Sequence, residues 1–77
     1  MPLYFFNISG EPEDTDGHEL PDLIAAKCES VKLTGSIICD QALAFWDKQE
    51  WTLTVTNEVG LALFSLHVVG AESAAIR

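Results

Sequence analysis

A chain of 77 residues and 8.4 kDa makes one small domain, able to hide only about 60% of the surface its extended form exposes; a barrel enzyme and a two-domain cleft are excluded. Four Lys and Arg stand against 12 Asp and Glu, a formal charge of −8, which repels the phosphates of nucleic acid and anionic membrane surfaces. At 48% apolar residues the composition still supports a packed core.

The chain opens on Pro2–Ser9, an uncharged stretch with three aromatics that predicts a strand. Period-two alternation places Tyr4, Phe6 and Ile8 on one face and Leu3, Phe5 and Asn7 on the other. Asn7 marks the second set as the wetter side. Phe5 is then out of place, an apolar ring that belongs under a loop or at a contact between subunits.

Residues 10–17, Gly-Glu-Pro-Glu-Asp-Thr-Asp-Gly, carry four acids, two glycines and a proline. That composition predicts an exposed loop, since so many carboxylates are costly to bury. His18-Glu19-Leu20 extends the chain again as a short second strand. Pro21-Asp22 then starts a helix, with proline and an acid suited to a first turn.

Ile24, Cys28, Val31, Gly35, Ile38, Ala42 and Phe45 recur at spacings of three and four, the stripe of an amphipathic helix over about 22–46. The expectation is that this stripe faces the core with both thiols buried. Gly35, lying on it, is expected to let the backbone approach a sheet closely, with a break near Thr34-Gly35-Ser36 as the alternative. Eleven residues along one helix separate Cys28 and Cys39 by about 16 Å, too far for a disulfide.

Trp51-Thr52-Leu53-Thr54-Val55-Thr56 alternates apolar residues with threonine, the pattern of a strand half in core and half in water. Asn57-Glu58-Val59-Gly60 is a turn, with Gly60 placed for a positive φ beside a bulge. Leu61–Val69 returns as the second arm of a hairpin over 51–69, presenting Phe64, Leu66 and Val68 on one face and Leu63, Ser65 and His67 on the other. Residues 70–77 read as a frayed tail. The sum is an α+β fold: an antiparallel sheet of three or four strands in β(β)αββ order, packed against one long helix.

Candidate chemistry is sparse. Asp14-x-Asp16-Gly17 echoes the middle of a calcium loop. With Gly17 in the glycine position, however, Pro12 replaces the first ligand and Leu23 the bidentate glutamate, so an EF-hand is excluded. Asp14, Asp16 and His18 remain as weak metal-ligand candidates, and no cofactor is expected. Neither cysteine nor histidine spacing fits a structural zinc site. No nucleophile elbow, dinucleotide loop or phosphate-binding loop is present, so enzymatic activity is not expected.

The remaining signal is apolar surface in excess of what one helix covers. Phe5, Leu61 and Leu63 are the candidate interface, pointing to a homodimer through a sheet face or edge; the charge suits a basic protein partner. Pro2–Phe6 is too short for a signal-peptide core. The longest apolar run, Ala42–Trp46, is far below the ~20 residues of a membrane span. With free thiols, this points to the cytoplasm.

Three stretches carry a family resemblance: Met1-Pro2-x-Tyr4-Phe5-Phe6, Gly17-His18-Glu19-Leu20-Pro21-Asp22-Leu23 leading into Ala25-Ala26, and Leu53-Thr54-Val55-Thr56-Asn57-Glu58-x-Gly60. Together, over roughly residues 1–69, they resemble short proteins of rhizobia and related alphaproteobacteria that consist of a domain of unknown function. The resemblance implies a β-β-α-β-β domain in a bacterial cytoplasmic protein, and it brings no catalytic or binding residues with it.

Overall fold

The computed structural model describes residues 2–76; Met1 of the N-terminal motif and Arg77 of the tail lie outside the described residues. The elements in chain order are β1 (Leu3–Ile8), β2 (His18–Glu19), α1 (Leu23–Asp40), α2 (Ala42–Lys48), β3 (Glu50–Thr56) and β4 (Ala62–Val69). The strands form one antiparallel sheet in the order β2-β1-β3-β4, an α+β layer with the helices over one face. The tail expected to fray winds into a short 3₁₀ turn at Ala74–Ile76.

Alternation along the strands decides which side chains meet the helices. Phe6 pairs with Val55, Ile8 with Leu53, Leu53 with Leu66, and Val55 with Phe64. All of these lie on the face covered by α1. Tyr4, Phe6, Leu53 and Val55 are buried there together with Ala26 of α1. The opposite face carries Asn7, Thr52, Thr54, Thr56, Ser65 and His67. Cross-strand contacts there join Thr52 Oγ1 to His67 Nδ1 at 3.2 Å and Thr54 Oγ1 to Ser65 Oγ at 3.4 Å. The turn keeps the expected glycine, with Gly60 at φ 84°. A register shift opposite Thr56 leaves Leu63 as the extra residue of a bulge.

The helix corrects three expectations. The first is its facing. The residues of α1 turned to the sheet are Ala26, Ser30 and Thr34, all buried, flanked by half-buried Leu33 and Ile37. At 100° per residue this set is centred about 150° from Ile24, Cys28, Val31 and Gly35. The first half of the apolar stripe therefore points outward: Ile24 is 79% and Val31 62% exposed, and both thiols are exposed, while Ile38 and Phe45 further along are half-buried and buried. Small side chains let the helix settle onto the aromatic floor. Ser30 hides its polarity by donating to the Lys27 carbonyl at 2.7 Å, a local bond that periodicity does not reveal. The short connection fixes the rotation. The Leu20 N–H is tied to the Pro2 carbonyl, and Asp22 caps the helix by accepting from the Ala25 N–H at 2.8 Å.

The second correction is Gly35, where α1 continues without a break and a Cβ would meet nothing within 4 Å. The glycine serves no close approach to the sheet. Gly35→Ala is expected to stabilise the fold by about 0.8–1 kcal/mol, seen as a higher urea midpoint at unchanged slope; a lower midpoint would mean the helix is not in open solvent there. The third is the break, which falls at Gln41 (φ −116°, ψ 38°). No glycine or proline marks it; the bend carries Phe45 down into a buried position at the end of the sheet.

Thr34 Oγ1 is the one buried side-chain oxygen or nitrogen among the described residues with no hydrogen-bond partner. Thr34→Val keeps the shape and removes the stranded hydroxyl. It is expected to stabilise by about 1 kcal/mol in the same denaturation experiment, whereas a loss would reveal a partner for the hydroxyl.

Candidate functional site

The acidic loop brings Asp14, Asp16 and His18 together, yet commits the first of them to the backbone. Asp14 Oδ2 accepts from the Phe6 N–H at 3.1 Å, and Oδ1 from the N–H groups of Asp16 and Gly17 at 3.2 Å each. The Asp14 N–H donates to Asn7 Oδ1 at 2.9 Å. Partial burial pushes the Asp14 carboxyl up, but the N–H donors of Phe6, Gly17 and Asp16, helped by His18, outweigh it and hold the group below its ordinary value. His18 Nδ1 is 3.9 Å from Asp14 Oδ2, and its ring meets the Phe6 ring edge-on at 5.1 Å. Among the described residues no group of three or more His, Cys, Asp or Glu is placed to hold a metal ion.

What this loop does is close an edge. β2 pairs only with Leu3 and Tyr4, so the outward backbone of β1 beyond Tyr4 has no strand to bond. The Asp14 carboxylate takes the Phe6 N–H, and the Glu11 N–H reaches the Ile8 carbonyl at 3.1 Å. The loop also covers Phe5. Gly17, at φ 73°, sits against that ring so closely that a Cβ would lie 3.0 Å from Phe5 Cε2. Glycine is required there on both counts. Phe5 is therefore half-buried, which corrects its place in an apolar patch on the open sheet face. That face is mostly Thr, Ser, Asn and His; of the three candidate interface residues, Leu61 and Leu63 are exposed.

The exposed apolar side chains fall into two groups. One runs over the outer face of the helices through Ile24, Cys28 and Val31 to Leu43, which is 88% exposed. The other follows β4 and the turn before it, through Leu61, Leu63 and Val69. Sequence reasoning missed the first because it assigned Ile24, Cys28 and Val31 to the core.

A cavity of about 180 Å³ opens where the helix bends, walled by Ile37, Phe45 and Trp51 with Glu11, Lys48 and Glu50 beside them; neither histidine nor cysteine lines it. No helix among the described residues is long and apolar enough to cross a membrane. The molecule is elongated, 49 × 23 × 20 Å with a radius of gyration of 14.2 Å, where about 11.5 Å is usual for 77 residues. Its surface of 5551 Å² exceeds by about 900 Å² the roughly 4600 Å² expected of a monomer of this mass. The exposed residues 71–76 supply part of that excess.

A family model described as "Domain of unknown function (DUF6894)" matches residues 3–69. No curated protein and no solved structure matches the chain.

Proposed function

We propose, for a chain that belongs to the DUF6894 family of domains of unknown function, a non-catalytic role as a small protein–protein interaction module that self-associates. The observation that carries this reading is the surplus of surface. Part of the roughly 900 Å² beyond the monomer expectation belongs to the exposed residues 71–76. Besides these, large apolar residues stand exposed on the outer face of the helices and at both ends of β4, and exposed apolar patches mark interaction sites. An acidic exterior favours basic protein surfaces over nucleic acid as further partners. With the resemblance to rhizobial-type proteins, it fits a bacterial cytoplasmic setting.

Catalysis has little to build on. The cavity at the helix bend gathers apolar walls with Ser9, Glu11, Lys48 and Glu50 but neither cysteine nor histidine, and the acidic loop spends its central carboxylate on backbone donors. Sedimentation equilibrium at low micromolar concentration tests the reading. A mass near twice 8.4 kDa is the expected result; a monomer over the whole concentration range rejects self-association.

A further inference from the structure

We infer that the copies join through the free edge of β4, antiparallel about a twofold axis at Leu66, making one continuous eight-stranded sheet. The inference rests on the self-association proposed above and names the surface it uses.

The two edges of the sheet are treated differently. The β1 side is closed by β2, by the Asp14 carboxylate and by the Glu11 N–H. On the other side nothing among the described residues pairs with β4 beyond β3. Proteins protect such edges with lysine, proline or shortness. β4 has eight residues and none of these devices; its one bulge lies at the start, opposite Thr56.

The backbone phase shows which groups are unpaired. The Gly70 N–H donates to the Gln49 carbonyl at 2.9 Å, so in an antiparallel ladder Val68, Leu66 and Phe64 turn their N–H and C=O toward β3. Ser65, His67 and Val69 turn theirs outward. The Ser9 N–H donating to the Thr52 carbonyl at 3.0 Å gives the complementary phase on the other side of β3.

Charge singles out the same edge as the place where two copies can meet. Residues 59–71 are thirteen in a row without Asp, Glu, Lys or Arg, the longest such run in a chain of charge −8. Beside this edge on the helix side stands a cation, the Lys27 ammonium 6.0 Å from the centroid of the Phe64 ring.

Side chains then select the register. Centred on Leu66, the pairing sets Leu66 against its own copy, Phe64 against Val68, Ser65 against His67 and Leu63 against Val69. Apolar faces apolar and polar faces polar throughout. Phe64, Leu66 and Val68, only half-buried in one chain, become the middle of a core row running under both helix layers, and Leu63 and Val69, 37% and 75% exposed, cover each other. A twofold at His67 opposes two imidazoles, and one at Ser65 sets His67 against Leu63. An isologous strand pair of this kind closes on itself and stops at two copies.

Amide hydrogen exchange by NMR on the unmodified protein, at a concentration where sedimentation gives a dimer, reads the edge directly. The amides of Ser65, His67 and Val69 are expected to exchange as slowly as those of Phe64, Leu66 and Val68, and at least about tenfold faster once diluted to monomer. A dimer in which these three exchange at free-peptide rates overturns the edge pairing and leaves self-association standing; a protein monomeric at every concentration overturns both. Ser65→Pro removes an outward N–H and leaves the β3 ladder whole, the one strand setting that tolerates proline; it is expected to sediment as a monomer. Val31→Glu, on the outer helix strip, is expected to remain a dimer. The reverse pattern, with Val31→Glu monomeric and Ser65→Pro dimeric, overturns the inference.

Discussion

Replacing Asp14 by alanine is expected to destabilise the fold by about 3 kcal/mol, because hydrogen bonds to a charged group contribute about 1.5–3 kcal/mol and a stranded donor adds its own penalty. The Asp14 carboxylate holds three N–H groups, and the Phe6 N–H lies on a strand edge where no other strand reaches. Its loss frees the loop from β1 and uncovers the Phe5 ring that the loop shelters. The pH dependence separates this from a generic loss of packing. Because the folded group sits below its ordinary value of 3.8, its contribution is complete above about pH 5 and fades as the pH falls through the folded value. Urea denaturation of wild type and Asp14→Ala should therefore differ most near neutrality and converge in acid. A gap that is constant with pH, or no gap at all, would show that the carboxylate does not hold the loop.

Leu53→Ala is expected to cost about 3–4 kcal/mol, in the range for large-to-small changes at fully buried sites. Leu53 and Val55 are the largest completely buried side chains. Leu53 stands at the middle of the sheet, opposite Ile8 on one side and Leu66 on the other. Neither neighbour can move into the space without leaving its own strand register. For 77 residues a total stability of about 4–12 kcal/mol is usual, so this one truncation consumes a large share of it. Thermal unfolding should drop by about 4–8 °C for each kcal/mol lost. A change of only a few degrees would place the core elsewhere.

The sheet was legible because period-two alternation is a strong signal when threonine marks the wet face. Trp51–Thr56 and the strand returning to Val69 lie where that pattern puts them, and Tyr4 and Phe6 face the core as their parity requires. The oddity of Phe5 was also legible, and of its two readings the loop is the one found. The facing of the helix was not. Ile24, Cys28 and Val31 have the spacing of a core stripe, while the true contact face contains Ser30 and Thr34. Ser30 hides its hydroxyl on the Lys27 carbonyl and Thr34 is buried with its own unpaired, so composition misreports both. The assumption that the most apolar face is the inner one fails here.

The break at Gln41 carries no glycine or proline, and it follows from where Phe45 finds burial, which is a tertiary matter. The role of Asp14 was hidden for a similar reason. The acids identified a loop, whereas the partner of that carboxylate is a backbone N–H eight residues upstream, reached only once β1 has formed. Of the weak metal-ligand candidates Asp14, Asp16 and His18, the first has its carboxylate taken up by the strand edge and the loop backbone.

α1 lies on the sheet by its small residues Ala26, Ser30 and Thr34 and turns Ile24, Val31 and both thiols to the outside. Reaction of native protein with a thiol-specific reagent at neutral pH tests it most directly. Cys28 and Cys39 should both react as fast as a thiol in the urea-unfolded chain, at any protein concentration. Two thiols that react only when the protein unfolds would return the strip to the interior and contradict the account.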